Sequence, residues 1–348
     1  MKSVIEYEKH KMAGIFQRLA GHMPALRQVL KSLTGIKYFL PPAAHLKGIR
    51  HFLIVPEKQV PEIRYPWTEE RSEIRKLAII TGATSGIGAA FARCFARQGY
   101  DLLITGRRKD VIAGVADEIR KAYGVKVNVV IADLSVKKDV TALLQVVGMH
   151  HNIEVLVNNA GYGMNLSFSE DEIDQQLSMM NVHVNVPLML IHKVVPQMIE
   201  RRSGIILNVS SMAAWFPASR STLYVSTKSF LKSFTESLFL DVRQYGIRVQ
   251  CLCPGFTTSD FHRDLNMLTD RIKLRMLPWM EPSAVVEYSM HCLEKGKIVC
   301  IPGVWNRLLT LLVSVMPRNL YYHLSLKLEK KVRVQKEISG KMLSTTNI

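Results

Sequence analysis

Residues 77–88 read Leu77-Ala78-Ile79-Ile80-Thr81-Gly82-Ala83-Thr84-Ser85-Gly86-Ile87-Gly88. The opening run is short and uniformly apolar, the pattern of a strand buried on both faces of a parallel sheet. Glycines at 82, 86 and 88 follow at once. Such glycines permit a tight turn, close approach of backbone to a pyrophosphate, and close packing of the next helix on the strand. Helical signal then runs through Arg97 and is closed by Gly99. That helix would offer its first amides to phosphate oxygens, with Gly82, Thr84, Ser85, Gly86, Ile87 and Gly88 as the contacting residues. A glycine pattern alone says little; its place between a strand and a helix gives it weight.

Downstream, strand-like runs recur at 101–105, 127–131, 155–157, 204–209 and 248–253, separated by helical stretches near 110–122, 136–147, 171–200 and 224–244. Strand and helix in alternation at this spacing predict an α/β fold, a parallel sheet covered on both faces. The second strand ends Ile104-Thr105-Gly106-Arg107-Arg108. A site selective for NAD has an acidic residue about 20 positions past the glycines, to hold the ribose 2′-hydroxyl. Gly106 stands there instead, followed by two arginines, whose planar forks suit the 2′-phosphate of NADP. The alternative is a solvated arginine pair, and Asp110 nearby weighs on that side.

Tyr224-Val225-Ser226-Thr227-Lys228 puts tyrosine and lysine at i and i+4 on one helical face, and Ser211 lies 13 residues earlier at a strand end. The trio fits carbonyl reduction. Tyrosine donates a proton to the nascent alkoxide, lysine lowers the tyrosine pKa by its charge, and serine polarises the carbonyl.

With Asn158-Asn159-Ala160-Gly161 added, the region 77–260 resembles the short-chain dehydrogenase/reductase family, on five separate motifs. The resemblance implies a Rossmann-type, doubly wound parallel sheet of about seven strands over 76–300. Helical extensions, 1–75 and 301–348, would flank it. It also implies NADP(H) contacts from the glycine turn, from Asp133 and Leu134 near adenine, from Asn159, Ala160 and Gly161, and from Tyr224 and Lys228 near the nicotinamide ribose. Pro254, Gly255, Thr257 and Thr258 match the family's loop after the sixth strand, with Thr258 expected by spacing to reach the cofactor. Asn158 is expected to tie neighbouring strands. The pattern around 208–212 and 224–228 is similar to the branch of hydroxysteroid and long-chain 3-ketoacyl reductases, which implies a lipid, acyl or steroid-like ketone or alcohol as substrate.

The chain departs from the family at one position. Counting back 13 residues from Pro196 reaches His183, where the family has an asparagine that supports a proton-carrying water. His183 could supply the relay itself, since imidazole both donates and accepts. It could equally be a satisfied buried histidine in an enzyme with an impaired relay, or a scaffold without turnover.

Substrate walls are expected from 162–169, 212–220 and 257–280, which hold Met212, Trp215, Phe216, Phe256, Phe261, Leu265, Met267, Leu268, Met276, Leu277, Trp279 and Met280. The formal charge of +17 belongs to the ends. Residues 1–76 carry 14 Lys/Arg against 7 Asp/Glu and residues 294–348 carry 10 against 3, whereas 77–293 carries 22 against 19. A near-neutral centre argues against a nucleic-acid-binding core. The basic flanks, with apolar positions such as Met12, Phe16, Leu19, Met23, Leu26 and Leu30, or Leu308, Leu311, Leu312 and Val315, suggest peripheral contact with an anionic membrane. Packing of both stripes on the core or a dimer interface is the alternative. No run reaches the ~18 apolar residues of a spanning helix. No secretory signal is read at the N-terminus, and the five cysteines include no Cys-x-x-Cys pair. A cytoplasmic homo-oligomer without metal is the expected state.

Overall fold

The computed structural model describes residues 75–163, 167–170, 172–259 and 279–327. The N-terminal extension, apart from Arg75, therefore lies outside the described residues. So do the expected wall residues Phe261 to Leu277 and the basic tail beyond Lys327.

Seven parallel strands form one sheet in the order β3-β2-β1-β4-β5-β6-β7. They are β1 (Leu77–Thr81), β2 (Asp101–Gly106), β3 (Val127–Ile131), β4 (Ile153–Asn158), β5 (Gly204–Val209), β6 (Ile247–Leu252) and β7 (Val299–Cys300). The helices between them are α1 (Gly86–Arg97), α2 (Lys109–Tyr123), α3 (Lys137–Gly148), α4 (Ile173–Met180), α5 (Val186–Arg201), α6 (Thr222–Val242) and α7 (Pro282–Glu294). After β7 comes α8 (Val304–Val315), then a further helical stretch, 318–327.

The period-2 geometry of strands explains the two cores. Ala78 and Ile80 point to the face covered by α1, α2 and α7, where Phe91, Phe95, Ile112, Ile119 and Val285 are buried. Leu77 and Ile79 point to the opposite face, against Leu143, Val147, Leu190, Ile191 and Val194 from α3 and α5. Both faces of β1 are thus dry, as its uninterrupted apolar run requires. Strand order reverses between β1 and β4, so their carboxyl ends open a crevice at the point where such folds bind ligands.

Two helical expectations need correction. The stretch 171–200 is not one α-helix: residues Asn181–Asn185 form a π-helical turn, closed by the Val186 amide on the Asn181 carbonyl. Pro187 accounts for it, having no N–H to give the His183 carbonyl four residues back and a ring that crowds it. The C-terminal helical extension expected over 301–348 is likewise broken at Met316-Pro317.

Candidate active site

The crevice is a cleft of about 330 Å³ running from the glycine turn to Ser211, Tyr224 and Lys228. Its floor is built by backbone economy around β1. Gly82 (φ +67°) and Gly86 (φ +56°) adopt a conformation that disfavours side chains. A Cβ on Gly82 would also lie 2.8 Å from the Ala160 Cα, and one on Gly86 2.9 Å from the Ser259 Cβ. Asn159 fixes this turn to β4: its Nδ2 donates to the Thr81 and Gly82 carbonyls, both at 3.0 Å. The Thr81 hydroxyl in turn accepts from the Asn159 and Ala160 amides at 3.0 and 3.1 Å. Gly88 does not line the cleft; it lets α1 press against the Gly82 carbonyl.

Both arginines after β2 open on the cleft. Arg108 Nη2 donates to Thr84 Oγ1 (3.1 Å) and Ser85 Oγ (3.2 Å), reaching over the glycine turn. Arg107 faces Asp133 at 3.7 Å. Burial opposes ionisation of Asp133, but the Ser135 hydroxyl and amide and the Arg107 guanidinium outweigh it and hold the carboxyl below its ordinary range. An acidic side chain at 106 would be barred by space as well as by sequence, since a Cβ there would come within 2.5 Å of the Thr84 methyl.

At the other end, Ser211 begins the 3₁₀ turn Met212–Trp215 and its Oγ accepts from the Ala213 amide at 3.1 Å. Its hydroxyl also hydrogen-bonds the Tyr224 phenol. Lys228, one turn along α6, is buried and donates from Nζ to the Val209 carbonyl at 2.9 Å; Nζ lies 5.9 Å from the centre of the Tyr224 ring. Burial lowers the Lys228 pKa to about 8. Burial raises that of Tyr224, the Ser211 hydrogen bond opposing the rise. Both shifts arise chiefly from burial, which disfavours the charged form of each group.

His183 sits at the centre of the π turn, 1% exposed. Its Nε2 accepts from the Tyr162 amide at 3.0 Å, so Nδ1 carries the proton and donates to Thr227 Oγ1, also at 3.0 Å. The Thr227 hydroxyl passes its own proton to the Tyr224 carbonyl (2.9 Å). Burial first, and the Lys228 charge second, hold the His183 pKa well below the ordinary histidine range, so the ring is neutral. Its edge contacts both the Tyr162 and Tyr224 rings, with centroids 5.7 and 5.9 Å apart.

Gly82, Thr84, Ser85, Gly86, Ile87, Asp133, Leu134, Asn159, Ala160, Gly161, Pro254, Gly255 and Thr257 all line the cleft, as expected. Thr258 does not. Its amide is turned to the Met280 carbonyl (3.0 Å), and Thr257 and Ser259, either side of it, face inward. Asn158 joins β4 to β5 through Asn208 Oδ1 at 2.9 Å. The sequence reading gave no role to Ser210 or Thr227 and did not single out Tyr162 and Ser259 within the wall segments 162–169 and 257–280; only their place beside recognised motifs could have flagged them. Of the expected wall residues, Phe256 and Trp279 lie with their rings tilted at 37° and centroids 5.2 Å apart, and Trp215 is capped by the Lys232 ammonium; none of the three lines the cleft.

These features agree with the comparisons. The model for short chain dehydrogenases matches residues 76–268. The very-long-chain 3-oxoacyl-CoA reductase of Anas platyrhynchos is 28% identical over 264 residues, 74% of this chain and 81% of that protein. The inactive hydroxysteroid dehydrogenase-like protein 1 of Rattus norvegicus is 30% identical over 232 residues, 66% and 68% of the two chains. A short-chain dehydrogenase from Sphingobium yanoikuyae, solved in complex with NADPH, superposes with a TM-score of 0.62 at 27% identity, covering 70% of this chain and 96% of that one. A matching family model over more than half the chain, on a sheet of the same kind and with Ser211, Tyr224 and Lys228 assembled at its crevice, places the protein in one family: the chain belongs to the short-chain dehydrogenases, and is an oxidoreductase of that type.

Proposed function

We propose that the protein interconverts a hydrophobic ketone and its secondary alcohol with NADP(H). The observation that carries this reading is the hydrogen-bonded pair of Ser211 and Tyr224 hydroxyls at the end of a cleft that begins at a glycine cradle. The cradle fits a dinucleotide because glycines at 82 and 86, where side chains would collide with Ala160 and Ser259, leave the turn's backbone bare along the cleft that a pyrophosphate would occupy. Thr84, Ser85, Arg107 and Arg108 would hold the adenosine 2′-phosphate, with Asp133 and Leu134 by the adenine. Asn159 to Gly161, Pro254, Gly255 and Thr257 would form the middle of the site, and Lys228 would meet the nicotinamide ribose. When bound, the cofactor supplies the hydride. Ser211 then polarises the carbonyl and Tyr224 delivers the proton to its oxygen. Trp215, Phe256, Trp279 and Met280 suit a bulky apolar substrate of lipid, acyl or steroid-like kind, and the avian relative, a very-long-chain 3-oxoacyl-CoA reductase, points the same way.

A panel of hydrophobic ketones with NADPH and NADH side by side tests it. NADPH is expected to be preferred by at least about tenfold in kcat/KM, with Arg108→Ala removing most of the preference. Equal use of both cofactors by the parent would defeat the NADP assignment, and no consumption with any ketone would defeat the activity.

We further propose that His183 is a positioning residue and not itself the relay, because both ring nitrogens are engaged within the protein. It pins the π turn to the Tyr162 amide and to α6 through Thr227. His183→Asn, which can keep the accepting bond to Tyr162, is expected to retain turnover within about threefold. His183→Ala is expected to lose about tenfold or more, since it orphans a buried amide. A relay role predicts instead that Asn also shifts the pH profile of kcat. The alternative of a scaffold without turnover is favoured by the inactive mammalian relative and opposed by the intact Ser211, Tyr224 and Lys228. All five cysteines are free thiols, which supports a cytoplasmic setting. Exposed Ile173, Leu177, Met189 and Phe230 on α4, α5 and α6 support a homo-oligomer.

A further inference from the structure

Helix α8 is amphipathic the wrong way round for a helix facing water. Towards the protein it turns Asn306 and Thr310, which are 5% and 0% exposed, with Val313 between their turns. Asn306 Nδ2 donates to the Pro302 carbonyl (2.7 Å), and its amide fills the space a Cβ on Gly255 would occupy. Thr310 closes on the Asn306 carbonyl at 2.7 Å. Outward it shows Trp305 (43% exposed), Leu309 (37%), Leu312 (49%) and Val315 (59%). The stretch 318–327 continues the pattern with Leu320 and Leu324 exposed, while Tyr321 is buried and donates its hydroxyl to the Pro217 carbonyl at 2.8 Å. Water-facing helices put polar residues outside, and an apolar surface of this extent calls for an apolar neighbour.

Charge decides which neighbour. From Lys295 to Leu328 the sequence has five Lys/Arg and no Asp or Glu, and Arg307, Arg318 and Lys327 lie along the exposed helices. A second copy docked by the same face would set basic against basic with no acid to pair. An anionic bilayer satisfies both halves of the surface: acyl chains take the leucines and valine, and headgroups take the arginines and lysine. No helix among the described residues is long and apolar enough to cross a membrane, so the contact is interfacial.

We propose that α8 and the stretch 318–327 form a docking surface for an anionic lipid bilayer. The surface adjoins the substrate wall, because Tyr321 is bonded to Pro217 just beyond the 3₁₀ turn that follows Ser211, and the polar face of α8 rests on the Gly255 loop. A substrate of the apolar kind proposed above would then meet the cleft beside the bilayer; that consequence rests on the reductase reading, whereas the docking surface does not.

The test is co-sedimentation of the full chain with vesicles of phosphatidylcholine alone, and of phosphatidylcholine with phosphatidylserine, at low and high salt. Binding is expected to the anionic vesicles, weakened by salt. The double variant Leu309→Glu/Leu312→Glu should lower it by at least about tenfold, since each change replaces an inserting leucine with a repelled carboxylate. Both sites are on the outer face, so the melting temperature of the variant should match that of the parent. Absence of binding at low salt overturns the proposal, as does a folded double variant that binds like the parent, which would put the contact elsewhere in the chain. A parent dimer that the double variant dissociates, seen by light scattering without vesicles, would give the face to a second copy. Vesicle binding with no ketone turnover would leave the surface standing and remove the reductase.

Discussion

Tyr224→Phe is expected to lower ketone reduction by about 10²–10⁴-fold, roughly 3–5 kcal/mol of transition-state stabilisation, with cofactor affinity held within a few fold. The substitution removes only the phenolic oxygen. The ring stays against His183, and Ser211 keeps its bond from the Ala213 amide. What is lost is the proton donor. Because burial raises the Tyr224 pKa, the phenol holds its proton throughout the neutral range and is ready as an acid, which is the state ketone reduction needs. Lys228, by contrast, is lowered by burial to about 8. Above that pH it sheds the charge that steadies a tyrosinate forming as the proton leaves. Reduction by the parent is therefore expected to fall as pH rises through about 8. Steady-state rates of reduction from pH 6 to 10 measure this, at roughly half-unit intervals. A Phe variant that keeps more than about a tenth of parental turnover would take Tyr224 out of the chemistry.

The sheet was legible because its strands are buried on both faces, which leaves continuous runs such as 77–80 and 204–209 that a half-exposed strand cannot tolerate. The glycine turn was legible for a related reason: positive φ and the close approach of Ala160 and Ser259 admit only glycine at 82 and 86, and sequence shows glycine directly. Elsewhere the deciding contacts are tertiary. Nothing local marks Thr227 as the partner of a histidine 44 residues away, or Ser259 as the residue over Gly86. The π turn lies inside a stretch that reads as helical, and Pro187 was its sign in the sequence. Thr258 was misplaced by a single residue because the loop after β6 is oriented by the bridge between Thr257 and Met280, across a long intervening segment. Spacing puts Lys228 and Tyr224 on one helical face, but the burial that shifts both groups is a tertiary property that spacing does not contain.

The largest structural effect is expected at Gly88, a glycine with an ordinary helical backbone. Gly88→Ala should cost about 2–4 kcal/mol, through overpacking and a broken buried hydrogen bond. A methyl group there would fall on the Gly82 carbonyl and on the Asn159 side-chain amide that bonds it at 3.0 Å. Neither neighbour can give way cheaply. The carbonyl belongs to the turn between β1 and α1, and Asn159 is also tied to the Thr81 carbonyl and hydroxyl. Moving α1 outward instead would pull fully buried Phe91 and Phe95 from the core they share with α7. Either route deforms the turn that would receive the pyrophosphate, so the variant should also lose the rise in melting temperature that NADPH is expected to give the parent. Gly114→Ala is the matched control. Gly114 lies exposed inside α2 with nothing within 4 Å of an added Cβ, and alanine there should stabilise by about 0.5–1 kcal/mol through helix propensity. Thermal unfolding with and without NADPH reads both substitutions. Were Gly88→Ala to melt with the parent and still respond to NADPH, the close approach of α1 to the β1 turn would not be what shapes this end of the cleft.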